Sequence, residues 1–315
     1  MFRLPLACLA LILWVALPGC RLVQLTSKTT APTPAREPAA SLAAEPFDAT
    51  LHGRGFYPLE VGNRWRYRRT ASQRWVENGV PQTIEYASTL ERELVCEPSL
   101  AGRTYVSELT REIDGTDVYT SWVHFRQDRT GLYERDERGT PGCAAPNAPI
   151  VAPVTTSTLA RIGEPGEPSG DASVQAARVE LGERLALIRN TLGLHAPSMR
   201  RPRPAEGELT RLAYPLHVGR TWIIRADPRF STRVVGIELL RVPAGRFLAY
   251  KIRIDSELFS ANDRVFVWYG RKGFLKLSAH VETTGTDENG NLIAGVWAEE
   301  REVLDGYELA GSTSD

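Results

Sequence analysis

Tyr57-Pro58-Leu59-Glu60-Val61-Gly62-Asn63-Arg64-Trp65 returns further along the chain as Tyr214-Pro215-Leu216-His217-Val218-Gly219-Arg220-Thr221-Trp222, with six of nine positions identical. Two more anchors follow in the same order. Ala101-Gly102-Arg103-Thr104-Tyr105 answers Ala244-Gly245-Arg246-Phe247-Leu248, and Phe125 with Gly131-Leu132 answers Trp268 with Gly273-Phe274. Gly102 and Gly131 stand 29 residues apart, Gly245 and Gly273 stand 28 apart. A shared order at a shared spacing reads as two copies of one unit. The first copy is longer between its first two anchors, 40 residues from Gly62 to Gly102 against 26 from Gly219 to Gly245, and the excess contains Asn78-Gly79, a hairpin-turn dipeptide.

Around these anchors apolar residues alternate with period two. Tyr250, Ile252 and Ile254 interleave with Lys251, Arg253 and Asp255, and Leu275, Leu277, Ala279 and Val281 interleave with Lys276, Ser278, His280 and Glu282. This is the pattern of half-buried strands. Asp114-Gly115, Asn289-Gly290 and Val242-Pro243-Ala244-Gly245 supply the turns between them. The expected fold is mainly β: two tandem antiparallel meander units, residues 56–140 and 213–309, forming open barrel or half-barrel sheets that curl to protect their edges.

Residues 141–212 read as a linker. Pro141 to Gly170 is rich in Pro and Gly, and Met199 to Pro204 is basic and extended. Between them Val174, Ala177, Leu181, Leu185, Ile188 and Leu192 fall at spacings of 3, 4, 4, 3 and 4, one helical stripe. The spacing predicts a helix over 173–192, in which Gly182 costs about 1 kcal/mol relative to Ala. Ala177 to Leu181 alternates as a strand would, and the longer stripe favours the helix.

The chain opens with Arg3, an apolar run from Leu4 to Leu17, and then Pro18-Gly19-Cys20. Fourteen apolar residues at a rise of about 1.5 Å cover about 21 Å, short of a hydrocarbon core of about 30 Å, so the run is a signal core and not a span. Leu17, Gly19 and Cys20 resemble the junction of bacterial lipoprotein signals. The resemblance implies removal of residues 1–19 and lipidation of Cys20, whose acyl chains, at about 0.8 kcal/mol per buried CH₂, hold a protein at a bilayer. Arg21 follows where an Asp would favour retention at the inner membrane. The implied address is therefore the cell envelope, most simply the outer membrane facing the periplasm. Residues 20–55, rich in Ala, Pro, Thr and Ser without an apolar period, read as the lipidated Cys and a disordered tether.

Lys plus Arg equals Asp plus Glu at 38 each, so no long-range field favours nucleic acid. Of the four cysteines, Cys8 leaves with the signal and Cys20 carries lipid. In an exported chain the remaining even pair, Cys96 and Cys143, reads as a disulfide. Closing a loop of about 48 residues contributes roughly 4 kcal/mol in the chain-entropy account.

The chain has no Gly-x-Ser-x-Gly, no His-Glu-x-x-His and no Gly-x-x-x-x-Gly-Lys. His52, His124, His195, His217 and His280 are scattered singly. Asp287-Glu288-Asn289-Gly290-Asn291 lacks the twelfth-place ligand of a calcium loop and reads as a hairpin turn. No metal, cofactor or catalytic residue is expected. Glu299-Glu300-Arg301-Glu302 and Glu91-Arg92-Glu93 place acids on strands, where a suitably spaced pair would suit a glycan hydrolase; alternating charge on an exposed strand face is the plainer meaning. Trp65, Tyr67, Trp75, Trp122, Trp222, Trp268, Tyr269 and Trp297 concentrate in the strands. They would either line an apolar groove or fill a core, and the equivalent placing of Trp65 and Trp222 suits a core wedge.

The Pro-Leu-x-x-Gly-x-x-Trp anchors, the Val242-Pro243-Ala244-Gly245-Arg246-Phe247 turn, and Trp268-Tyr269 with Gly273 resemble a broad group of β-rich bacterial exported lipoproteins of little-characterised role. Some of that group are distantly similar in shape to carriers that ferry lipoproteins across the periplasm, whose curved open sheet packs on helices. The expected function is a non-enzymatic, membrane-anchored envelope lipoprotein that binds an apolar or envelope-derived ligand or an envelope protein. The rivals are a carboxylate-dependent envelope glycan hydrolase and a purely structural component of an envelope assembly.

Overall fold

The computed structural model describes residues 56–77, 80–135, 172–192, 207–286 and 292–311. All of these belong to the unit Pro46–Asp315. The strands are β1 (Arg64–Glu77), β2 (Val80–Cys96), β3 (Ser99–Leu100), β4 (Arg103–Thr104), β5 (Val106–Asp114), β6 (Asp117–Gln127), β7 (Gly131–Arg135), β8 (Leu209–Ala213), β9 (Thr221–Ala226), β10 (Arg229–Val242), β11 (Gly245–Ser256), β12 (Arg264–Gly270), β13 (Gly273–Thr286) and β14 (Leu292–Glu308). One helix, α1, spans Ala172–Thr191. Twelve of the strands form a single antiparallel sheet in the order β8-β7-β6-β5-β2-β1-β14-β13-β12-β11-β10-β9, and β3 with β4 form a small ribbon.

The repeated nonapeptide makes the same turn twice. Gly62 N–H donates to Leu94 O at 2.7 Å and Gly219 N–H to Val234 O at 2.8 Å; Asn63 N–H reaches Glu60 O at 3.1 Å and Arg220 N–H reaches His217 O at 3.0 Å. Both glycines sit at positive φ, 99° and 91°, which side chains with a Cβ rarely adopt. The identity of Gly at these two places is thus a backbone requirement. Each turn feeds a strand, β1 after the first and β9 after the second. The strands from the two halves then merge into one sheet instead of two, because β1 pairs with β14 from Arg64↔Glu308 to Arg74↔Trp297.

The sheet is a nearly closed barrel. Its edge strands β8 and β9 come side by side, and the Trp222 indole Nε1 on β9 donates to Thr210 O on β8 at 3.1 Å. Alternation along β1 sorts the faces: Trp65, Tyr67, Arg69, Ala71, Gln73 and Trp75 are buried, while Arg64, Arg66 and Arg68 are more than half exposed. The exposed arginines pair with Glu93 and Asp305. The outward face of β1 is therefore charged over these three positions. Among the described residues no helix is long and apolar enough to cross a membrane.

Helix α1 packs against β13 and β14 on the inner face. Val174, Ala177, Leu181, Leu185, Ile188 and Leu192, the stripe read from spacing, are all buried. They join a core that includes Leu277, Val281, Val296 and Ala298. Arg184 fastens the helix further, donating to Glu282 O at 2.7 Å and pairing with buried Asp263.

Candidate functional site

Among the described residues the inner face of the barrel is densely lined with buried side chains. At the end where β1 begins, Tyr57 packs 5.7 Å from Trp65 and 5.4 Å from Phe125, and Tyr67 lies 5.4 Å from Phe274. Trp65 Nε1 is satisfied by Lys272 O at 2.8 Å, in the turn between β12 and β13. Trp65 is a core wedge as its sequence position suggests, whereas its counterpart Trp222 stands half-buried at the seam. Trp75 carries the Arg178 guanidinium on its face, 4.2 Å from the ring centre. No aromatic groove opens through this region.

Beneath the aromatics lies an ionic cluster. Five arginines (Arg69, Arg92, Arg178, Arg189, Arg211) and five glutamates (Glu108, Glu112, Glu134, Glu300, Glu302) are buried among the described residues. Arg69 pairs with Glu112 and with Glu300, the latter at 3.1 Å. Arg92 meets Glu302 at 2.5 Å and stacks over Tyr67, 4.5 Å from its centre. Arg189, in the last turn of α1, pairs with Glu300 and lies 3.7 Å from Glu302, tying the helix to β14. Arg211 of β8 pairs with Glu134 of β7. Unpaired buried charge would be very costly, which explains why each strand's acid meets a base from another element.

The protonation states follow from these contacts. Burial pushes the Glu108 carboxyl above the usual range, against the pull of Arg92 and the hydrogen bond from Tyr57 Oη at 2.7 Å. Burial would raise Glu112 too, but Arg69 and Arg189 overcome it and hold this carboxyl below its ordinary value. Burial also lifts the Tyr57 and Tyr67 phenols far above their ordinary value and pushes Tyr269 up to about 12. Several polar atoms of the cluster, among them Arg69 Nη2, Arg189 Nη2 and Glu300 Oε2, have no hydrogen-bond partner among the described residues.

The two acid-rich motifs are divided by this geometry. Glu300, Glu302 and Arg92 point inward, whereas Glu91, Glu93 and Glu299 lie on the outer side. The inward acids are clamped by arginine and sealed from solvent, so they do not converge on a cleft. The three described histidines do not gather either: His124 shares a hydrogen bond with Ser107 at 2.9 Å, exposed His217 contacts Val218 O at 3.1 Å, and His280 lies between Glu282 at 2.8 Å and Glu299 at 3.5 Å. Among the described residues no three His, Cys, Asp or Glu side chains are placed to hold a metal ion. Cys96 ends β2 and is half-buried, while Cys20, Cys143, His52, His195 and the 287–291 turn lie outside the described residues.

Sequence reading missed two outer features. Trp268 is 4% exposed although it points outward, because Lys251 and Lys276 lie over it, 5.3 and 4.4 Å from its ring centre, and its Nε1 donates to Glu238 at 2.6 Å. The scarcity of lysine in the chain was the available signal, since two of the four lysines sit here. The second is the β10–β11 hairpin. It folds back onto β14, so that Ala244 N–H donates to Leu304 O at 3.3 Å and Phe247 lies 6.0 Å from Tyr307. Its other face leaves Ile237, Leu239 and Leu248 exposed. A shallow saddle of about 780 Å³ on the outer sheet, lined by Thr70, Ser72, Lys276, Ser278, His280 and Arg301, is polar and open.

No protein-family profile and no curated protein matches the chain. Two solved structures share a distant likeness of shape. One, provisionally described as an exported protein with a YmcC-like fold, comes from Bacteroides fragilis NCTC 9343; it is 10% identical with a TM-score of 0.36, over 81% of this chain and 99% of that one. The other, provisionally described as a lipoprotein, comes from Parabacteroides distasonis ATCC 8503, at 10% identity and a TM-score of 0.34 over the same shares.

Proposed function

We propose that this protein is a non-enzymatic lipoprotein of the bacterial cell envelope whose barrel body binds an envelope protein partner. The observation that carries this reading is what lines the interior among the described residues: helix α1, the aromatic cluster and the ion pairs stand where a carrier would keep space for an acyl chain. The exposed, ion-paired arginines of β1 support a body that stands off the bilayer, and the sealed carboxylates weigh against glycan hydrolysis. Exposed apolar side chains concentrate on the β10–β11 hairpin, which suits a contact surface. In this reading Cys20 carries the lipid, residues 21–55 set the reach, and Cys96 and Cys143 form a disulfide in the body.

The test is Cys20→Ala followed by membrane fractionation of a diderm host. Wild type is expected in the outer-membrane fraction and the variant in the soluble periplasm. A variant that stays with the membrane overturns the anchor. Mass spectrometry without reductant is expected to show Cys96 linked to Cys143, and two free thiols would remove the staple.

A further inference from the structure

β10 has a free edge. Its first part, Arg229–Arg233, pairs with β9, and the backbone of Gly219 and Arg220 carries that pairing to Val234. From Gly236↔Lys251 to Val242↔Gly245 the strand pairs with β11 on one side. On the other side nothing among the described residues pairs with it. Such edges recruit further strands, and proteins usually blunt them with lysine, proline or a bulge. The bulge here falls between Val234 and Gly236, at the start of the segment, and residues 236–242 contain neither Lys nor Pro.

The edge is apolar, held in place and cationic. Val235 and Ile237 are each 39% exposed and Leu239 61%, while Leu240 on the opposite face is buried and helps dock the hairpin. A docked edge loses little freedom when a strand is added. Ile237, Leu239 and Arg241 share one face, since alternate residues of a strand do. Arg246 stands directly across from Arg241, and neither has an ion-pair partner among the described residues. The lone acid of β10, Glu238, is already engaged by Trp268 Nε1 at 2.6 Å and Lys251 at 3.8 Å. A second copy offers these arginines no free acid, because the same segment, Val235–Val242, carries Glu238 as its one carboxylate and that group is already engaged.

We propose that the β10 edge from Val235 to Val242 is a strand-addition site for an extended acidic segment of a partner protein. Two apolar residues at alternate positions of that segment lie beside Ile237 and Leu239, and a carboxylate at the next alternate position meets Arg241 and Arg246. This deepens the binding function above and takes from it only the partner's compartment.

The probes are two labelled peptides, acetyl-Thr-Glu-Thr-Val-Thr-Val-Thr-amide and its reversed order, with Lys-for-Glu versions as controls, added to the full-length protein in detergent. One Glu peptide is expected to bind, to slow amide exchange across 235–242 at least tenfold, and to outbind its Lys version at least tenfold. Leu239→Lys should weaken binding tenfold or more with an unchanged circular dichroism spectrum, and Arg241→Glu should reverse the preference between Glu and Lys peptides. The proposal fails if neither Glu peptide binds, if exchange at 235–242 does not slow, or if both variants bind as wild type does. A dimer in sedimentation that Leu239→Lys dissolves would assign the edge to a second copy and equally overturn it. Edge protection in a Cys20→Ala protein that has left the membrane separates this outcome from the fate of the anchor.

Discussion

Trp222 on β9 reaches Thr210 on β8 through a 3.1 Å hydrogen bond from its indole Nε1 to the carbonyl oxygen, and this contact bridges the two ends of a twelve-stranded sheet. Thr232 Oγ1 in turn donates to Trp222 O at 3.1 Å, fixing the strand that carries the indole.

Seam variants should therefore destabilise the whole body. Trp222→Phe removes the donor and should lower stability by about 1 kcal/mol. Gly131→Ala should cost more, about 2 kcal/mol, because a Cβ at Gly131 would stand 2.5 Å from Leu212 O where β7 pairs with β8. Urea denaturation curves check both, and equal midpoints for Gly131→Ala and wild type would show that the β7–β8 pairing beside the seam yields freely.

The ionic cluster should respond to removal of one partner far more than to removal of a pair. Arg69→Met leaves buried Glu112 and Glu300 short of a counter-charge and should cost about 3–5 kcal/mol. Adding Glu112→Leu should restore part of that loss, since Glu112 is then no longer an unmatched charge. A double variant less stable than the single one would contradict the charge-balance account.

Acid should act on the β6–β7 turn through Asp128. Burial alone would raise this carboxyl, but hydrogen bonds from the Thr130 hydroxyl and N–H, at 2.6 and 2.7 Å, and the Arg126 guanidinium bring it down to about 2. A folded value below the unfolded one means the ionised form stabilises the fold above about pH 4, and the contribution fades as pH falls towards 2. The side chain is 40% exposed, so solvent screening reduces the effect to about 1 kcal/mol. Asp128→Asn should lose that amount at pH 7 and match wild type near pH 2, as thermal melts across pH would show.

Much of the architecture was legible because it is local. Period-two alternation around Tyr250 to Asp255 marks a strand by itself, and the stripe from Val174 to Leu192 marks a helix, since each needs only the geometry of its own backbone. The repeated Gly62 and Gly219 were legible for the same reason: a positive φ admits few residues. The acid-rich motifs were less so. Glu300 and Glu299 are neighbours in sequence, yet one is buried between Arg69 and Arg189 and the other faces water, and the alternation that separates them does not say which face is inside.

The amino-acid sequence by itself determined the β-rich class, the turns and the helix, and it carries the lipoprotein-like start at Cys20, because propensity, periodicity and short motifs act over a few residues. Only the tertiary structure decided that both halves share one nearly closed sheet, that its interior is packed with paired charge, and that β10 is left with an open edge. Those outcomes depend on contacts between residues far apart in the chain, such as Arg189 with Glu300 and Trp222 with the end of β8, whose energies exist only once the strands have met.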